Sequence, residues 1–222
     1  MVESQPPQDL PAAARIGLFG GTFDPVHYGH LRPAVEMAEQ YDLSTLYLMP
    51  NHRPAHRGPT GATTQMRIDM LNIAIQSVPR LAIDTREAER DKPTYTFDSL
   101  KELKAEQPDA TLLFFLGLDA FAEFDTWHNW EGVLELANLI VVTRPGAKQS
   151  DFSQNLVSRQ QRIMGDKIVN GSAGVIETCD VTQIAISATD VRRRIAENLT
   201  VRFLLPDGVS EYIDAKRLYR IS

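Results

Sequence analysis

The chain has 222 residues, of which 43% are hydrophobic, so it is long enough for one or two globular domains with a sizeable core. Its 23 Lys and Arg residues against 29 Asp and Glu residues give a formal net charge of −6, which argues against a general nucleic-acid-binding protein. The single cysteine excludes an internal disulfide framework and a cysteine-based zinc site, and no apolar run approaches the roughly 18 residues that span a bilayer. We therefore expect a protein of the reducing cytoplasm that acts neither on nucleic acid nor at a membrane.

The predicted elements alternate short apolar strands with amphipathic helices. Residues 1–14 contain three prolines and lack the basic start of a signal peptide, so we interpret them as a flexible tail. Strands are predicted at residues 16–19, 46–50, 81–84, 111–118, 139–143 and 175–178, and helices at residues 31–38, 65–77, 97–105 and 201–213. This order predicts an α/β fold with a Rossmann-like open parallel sheet, helices on both faces and a small C-terminal helical portion. Residues 15–222 would form a single domain with a polar insertion at about 147–174.

The first predicted strand leads directly into residues 20–30, GGTFDPVHYGH, which open the first helix. Two glycines let the backbone approach a ligand closely, and the helix start offers N–H groups and the positive end of its dipole to phosphate. His27 and His30, the histidine pair, add two imidazole donors beside that dipole. A Gly-Gly turn or one histidine at a helix start is by itself usually structural, but the combination predicts a polyphosphate site.

A loop rich in Pro, His and Arg follows the second predicted strand at residues 51–59, NHRPAHRGP. In open α/β sheets ligands bind beyond the carboxyl ends of the strands, where this loop would lie. A solvated basic loop is the structural alternative. In the helix predicted at 65–77, the spacing of the apolar residues places Arg67 on the exposed side, either solvated or functional.

Three polar or aromatic residues mark the middle of the chain. Asp119 comes directly after the most apolar predicted strand, where a carboxylate can accept hydrogen bonds from ribose hydroxyls or cap a helix. Thr96, at the start of the helix predicted at 97–105, is also explained as a helix N-cap. Trp127 lies in a loop-like setting.

A second phosphate motif is predicted at residues 184–192, IAISATDVR, where a strand would pass into a helix. Ser187 and Thr189 would bring hydroxyls to the helix start, and Arg192 a guanidinium one turn further on. Ser187 three residues before an Asp also fits a capping box, which alone is the commoner explanation. Arg192 and the histidine pair are expected to share one triphosphate, which requires them to lie within about 15 Å of one another.

The two motifs resemble the signature of the nucleotidyltransferase superfamily, and residues from about 15 to about 219 resemble, more narrowly, the bacterial nicotinate-mononucleotide adenylyltransferases. The resemblance implies transfer of the adenylyl group of ATP to nicotinate mononucleotide, giving nicotinate adenine dinucleotide and pyrophosphate in NAD biosynthesis. The sequence departs from the family pattern at Ala55, Arg57, Thr94 and Ala188. An adenylyltransferase of the phosphopantetheine type and a non-catalytic nucleotide sensor are the alternatives.

The resemblance also implies roles for individual residues. The catalytic residues would be His27, His30 and Arg192. The ATP-binding residues would be Gly20, Gly21, Thr22, Phe23, His27, His30, Gly117, Asp119, Ile186, Ser187, Thr189 and Arg192. The residues that bind nicotinate mononucleotide would be Thr22, Asp24, Asn51, His56, Arg57, Thr96, Trp127, which stacks on the pyridine ring, and Arg144. No protein metal site is expected, Mg²⁺ would arrive on the ATP phosphates, and the chain would be a monomer or a homodimer.

Overall fold

The computed structural model describes residues 14–51, 61–90, 93–143 and 168–220, and every structural statement below refers to these ranges. The predicted α/β fold is confirmed, since all the described strands form one parallel sheet. The strands are β1 (Arg15–Gly21), β2 (Thr45–Pro50), β3 (Leu81–Ile83), β4 (Thr111–Gly117), β5 (Asn138–Thr143) and β6 (Ile176–Asp180). The α-helices are α1 (Tyr28–Gln40), α2 (Thr64–Ile75), α3 (Thr96–Glu106), α4 (Leu118–Ala122), α5 (Trp130–Leu136), α6 (Ala188–Ala196) and α7 (Asp207–Lys216).

Two hydrophobic clusters, one on each face of the sheet, hold the helices in place. Successive strand residues point to opposite faces, so Phe114 of β4 belongs to one cluster and Phe115 to the other. Helices α1, α2, α6 and α7 cover the first face, and α3, α4 and α5 cover the second. Burial on both faces explains why the central strands are almost continuously apolar in sequence.

The strand order β3-β2-β1-β4-β5-β6 determines where a ligand can bind. The chain runs outward from β1 through β2 to β3 and then returns to the other side of β1 with β4. At such a reversal the loops after the two neighbouring strands leave in opposite directions and open a crevice at the carboxyl edge of the sheet. The first motif follows β1, and Asp119 follows β4, so both lie at this edge.

Three parts of the predicted secondary structure differ from the structure. The prediction that a strand leads into the second motif is wrong, because residues 184–186 lie outside the sheet, Ile184 is exposed and Ile186 N–H bonds back to the Ile184 carbonyl at 2.7 Å. The C-terminal helix begins later than predicted, at Asp207, after turns at 202–205. Helices α4 and α5 have no counterpart among the predicted helices.

The predicted N-terminal tail and most of the predicted insertion lie outside the described residues. Within the described ranges, the helices are all too short or too polar to cross a bilayer.

Candidate active site

The turn between β1 and α1 is built by close packing around two glycines. A Cβ atom on Gly21 would lie 2.8 Å from the ring of Phe23, so only glycine fits beneath that ring. A Cβ atom on Gly29 would lie 2.9 Å from Nδ1 of His27 and 3.2 Å from the carbonyl oxygen of Ile184. Gly29 therefore lets the segment that carries the second motif come close to the start of α1 beside His27.

The histidine pair forms a stacked unit at the start of α1. The rings of His27 and His30 are 3.7 Å apart between centroids and inclined by 25°, and Phe23 packs edgewise on His30 at 5.1 Å. His27 is 3% exposed, and its burial lowers the pKa from the ordinary 6.5 to about 4, so the ring is neutral at pH 7. Its Nδ1 has no hydrogen-bond partner among the described residues. No acidic residue occupies the first turn of α1, so the positive field of the helix start remains uncompensated there.

Arg192, from α6, reaches the same turn from the other end of the sequence. Its Nη1 donates to the main-chain oxygen of Asp24 at 2.6 Å, and its Nη2 to Oγ1 of Thr189 at 3.3 Å. Asp24 precedes His27 by three residues, a chain length of at most about 11 Å. The structure thus brings Arg192 to the turn that carries the histidine pair.

Ser187 caps α6 in the way its sequence position suggests. Its Oγ accepts the N–H of Asp190 at 3.1 Å, and Ser187 itself remains exposed. The hydroxyl proton is still available to a phosphate oxygen, so capping and ligand binding are compatible. Ile186, half-buried, lies one residue before this cap.

Asp24 is buried, and its carboxylate is engaged within the protein. The backbone N–H groups of Gly61 and Ala62 donate to its two oxygens at 2.7 and 3.1 Å, and the hydroxyl of Tyr219 donates at 2.7 Å. These bonds tie the turn after β1 to the start of α2 and to the C-terminal end of the chain. A mononucleotide contact by Asp24 stays a prediction.

The prediction that Arg67 lies on the exposed side of its helix is wrong. Arg67 is fully buried and donates to the carbonyl oxygens of Thr22 at 2.6 Å and Asn51 at 2.7 Å, which joins the loops after β1 and β2. The buried residues of α2 are Arg67, Ile68, Met70, Leu71 and Ile75. The four-residue spacing of Arg67, Leu71 and Ile75 is the signal in the sequence that could have revealed this position.

The loops after β1 and β2 also touch directly. Asn51 donates its backbone N–H to the carbonyl of Gly21 at 3.0 Å, and its Oδ1 would be 3.8 Å from a Cβ atom on Gly20. His56, Arg57 and Arg144, the other candidate side chains of this region, lie outside the described residues.

The residues that follow β4 line the opposite side of the crevice. Helix α4 begins at Leu118 with Gly117 as its N-cap residue, so Asp119 lies exposed in the first helical turn and does not cap the helix. A Cβ atom on Gly117 would touch no described atom within 4 Å, which leaves open space at the end of β4. The Asp119 carboxylate is therefore accessible at the carboxyl edge of the sheet.

Trp127 and the start of α3 lie near each other on this side. Trp127 is half-buried and packs against Phe124 at 5.6 Å and Phe114 at 6.1 Å between ring centroids. The neighbouring His128 packs on the ring of Tyr95 at 4.3 Å. Tyr95 is the N-cap residue of α3, so Thr96 is its first helical residue and does not cap it.

A buried carboxylate, which the sequence analysis did not single out, holds the start of α3. Glu87 accepts hydrogen bonds from the hydroxyls of Ser99 at 2.9 Å and Thr94 at 3.3 Å, and its burial raises its pKa. It holds Thr94, which departs from the family pattern.

The described residues contain no group of three or more His, Cys, Asp or Glu side chains that could hold a metal ion.

Comparisons with known proteins agree on one family. The family model described as cytidylyltransferase-like matches residues 18–194. A Pseudomonas paraeruginosa protein named probable nicotinate-nucleotide adenylyltransferase is 44% identical over 209 residues, which are 93% of this chain and 97% of that protein. A Psychromonas ingrahamii protein of the same name is 40% identical over 208 residues, 92% of this chain and 97% of that protein. The solved structure of Plasmodium falciparum nicotinic acid mononucleotide adenylyltransferase complexed with NaAD superposes with a TM-score of 0.70 at 19% identity, covers 93% of this chain and 97% of that chain, and shows a common fold.

Proposed function

Because the chain belongs to the cytidylyltransferase-like family and, within it, to the nicotinate-nucleotide adenylyltransferases, we propose that it transfers the adenylyl group of ATP to nicotinate mononucleotide. The products are nicotinate adenine dinucleotide and pyrophosphate, and the reaction belongs to NAD biosynthesis. The chain is accordingly a nucleotidyltransferase. The approach of Arg192 to the turn that carries the histidine pair supports this proposal best, since it unites three phosphate-binding side chains from the two ends of the sequence.

The reaction we propose is a direct in-line attack of the mononucleotide phosphate on the α-phosphorus of ATP, with pyrophosphate as the leaving group. Cys179 is the one thiol of the chain, and it is buried in β6, where desolvation raises its pKa to about 11. It therefore does not supply a thiolate nucleophile at neutral pH. Catalysis would rest on positioning and on neutralising the charge that develops on the phosphate oxygens.

The phosphate-binding side of the crevice would hold ATP. A neutral His27 carries one ring N–H that can donate to a phosphate oxygen without the cost of burying a permanent charge. His30 would donate to the oxygens of the α-phosphate, and Arg192 with Thr189 to the outer phosphates. The glycines after β1 and the hydroxyl of Ser187 would complete the triphosphate contacts.

The opposite side would hold nicotinate mononucleotide. Trp127 is held by edge and tilted contacts with two phenylalanine rings and remains half-exposed, so its ring can stack on a cationic pyridine ring. Asp119 would bind a ribose of ATP, and Thr22, Asn51 and Thr96 the polar groups of the mononucleotide. Roles for His56, Arg57 and Arg144 rest on the family resemblance alone.

The ion that accompanies ATP would be Mg²⁺, which neutralises phosphate charge and keeps most of its ligands as water and phosphate oxygens. We propose a cytoplasmic enzyme, and sedimentation would decide between monomer and homodimer.

A pyrophosphate-release assay with ATP and nicotinate mononucleotide tests the proposed function. We expect turnover that needs both substrates, and a much slower reaction when nicotinamide mononucleotide or phosphopantetheine replaces nicotinate mononucleotide. Turnover of ATP with phosphopantetheine but not with nicotinate mononucleotide would identify the other adenylyltransferase. Tight ATP binding without any pyrophosphate release would identify a nucleotide sensor.

A further inference from the structure

Tyr219, three residues from the C-terminus, reaches the turn between β1 and α1, which the proposed function makes the phosphate-binding turn. After α7 the chain bends sharply, with Arg217 at φ 52° and Tyr219 at φ 60°, both in the left-handed region that side-chain-bearing residues rarely adopt. The bend directs the Tyr219 hydroxyl to Oδ1 of Asp24 at 2.7 Å. Its ring lies so close to Gly61 that a Cβ atom there would be 2.8 Å away, and Arg192 Cδ would be 3.3 Å from the same position.

Asp24 accepts hydrogen bonds from neutral donors at its carboxylate and from a charged donor at its main-chain oxygen. Its carboxylate receives the Tyr219 hydroxyl and the N–H groups of Gly61 and Ala62. Arg192 donates instead to the main-chain oxygen of Asp24 at 2.6 Å, while its Nη1 stays 3.9 Å from Oδ2 of the carboxylate. At this distance the two groups form an ion pair that lacks the charge-assisted hydrogen bond normally made by a guanidinium and a carboxylate so close together. The three neutral donors on the carboxylate take the place of that hydrogen bond.

We propose that Tyr219 is a positioning residue of the active site, which holds the Asp24 carboxylate away from Arg192 so that the guanidinium charge stays available for the phosphates of ATP. The proposal rests on the proposed function, in which Arg192 binds the outer phosphates. Without the hydroxyl, Oδ1 loses one of its donors and the carboxylate can turn towards Arg192. The arginine would then donate a hydrogen bond to the carboxylate, would be more closely neutralised by it and would bind phosphate more weakly.

Burial and the neighbouring Asp24 charge raise the pKa of Tyr219 above its ordinary range, so its hydroxyl keeps the proton that it donates. The packing of its ring on Gly61 does not need the hydroxyl. A Phe at this position would therefore keep the packing and remove only the bond to Asp24.

Tyr219→Phe tests the proposal, with Tyr212→Phe as the matched control. Tyr212 lies on α7, and its hydroxyl also donates to a carboxylate, that of Asp69 at 2.6 Å, but this bond joins α7 to α2 away from the phosphate-binding turn. Isothermal titration with a non-hydrolysable ATP analogue should show about tenfold weaker binding for Tyr219→Phe and a change of less than twofold for Tyr212→Phe. In Tyr212→Phe, which leaves the Asp24 carboxylate undisturbed, the KM for nicotinate mononucleotide should also change by less than twofold.

A double mutant separates positioning from general destabilisation. In an Arg192→Gln background, Tyr219→Phe should weaken binding of the analogue by less than a further twofold, because its target charge is gone. The titration stoichiometry reports the folded fraction, so affinities are compared on folded protein only. Unchanged affinity in Tyr219→Phe, or an equal loss in the Arg192→Gln background, would overturn the proposal. Analogue binding does not depend on turnover, so a wild-type protein that binds the analogue but releases no pyrophosphate contradicts only the proposed function.

Discussion

Burial of the neutral His27 imidazole should make the stability of the protein depend on pH in the acid range. In the unfolded chain this histidine binds a proton near pH 6.5, whereas in the folded protein burial lowers its pKa to about 4. Between these values the unfolded state holds more protons, so the free energy of unfolding falls as the pH falls. Well above pH 7 the ring is neutral in both states and contributes no pH dependence.

The size of the effect follows from the two pKa values. At pH 5 the unfolded histidine is almost fully protonated and the folded one almost fully neutral, which corresponds to a loss of about 2 kcal/mol relative to pH 7. With a urea m-value of about 2 kcal/mol per molar, the midpoint of unfolding should fall by about 1 M from this residue alone.

Urea unfolding of the wild type and of His27→Gln at pH 7 and pH 5, at one ionic strength, measures this contribution. Every other titrating group is present in both proteins and cancels in the comparison of the two midpoint shifts. The wild-type midpoint should fall by about 1 M more than that of His27→Gln. Equal shifts in the two proteins would refute the conclusion that His27 is buried in its neutral form.

Three further predictions concern other parts of the site. His30→Ala should lower kcat about a hundredfold or more, as loss of a transition-state donor does, with the melting temperature nearly unchanged; normal turnover would contradict its role. Arg67→Met leaves two partly buried carbonyls without their charged donor and should destabilise the fold by about 3 kcal/mol, seen as a melting temperature about 6–12 °C lower. A melting temperature within 2 °C of the wild type would show that these bonds contribute little. Trp127→Ala should raise the KM for nicotinate mononucleotide about tenfold but not that for ATP, and equal changes in both constants would argue against stacking on the pyridine ring.

Local patterns in the sequence are enough to predict the fold class and the position of the motifs along the chain. Apolar strands and amphipathic helices have short periods that are visible within a few residues, and glycines and histidines at a strand-helix junction are local features. The parallel sheet and its order place the first motif and Asp119 at one edge, as the general rule for such sheets predicts. The apolar residues at 184–186 are an exception, because a short apolar segment has the pattern of a strand whether or not a neighbouring strand is there to pair with it.

The partners of the buried polar side chains follow only from the tertiary structure. A guanidinium is buried only where acceptors from other segments meet it, and Arg67 finds these in Thr22 and Asn51, which belong to two different loops. The bond between Tyr219 and Asp24 joins residues 195 positions apart and has no local signature. Such contacts depend on how the loops come together once the two hydrophobic clusters have formed, and no short stretch of the sequence contains that information.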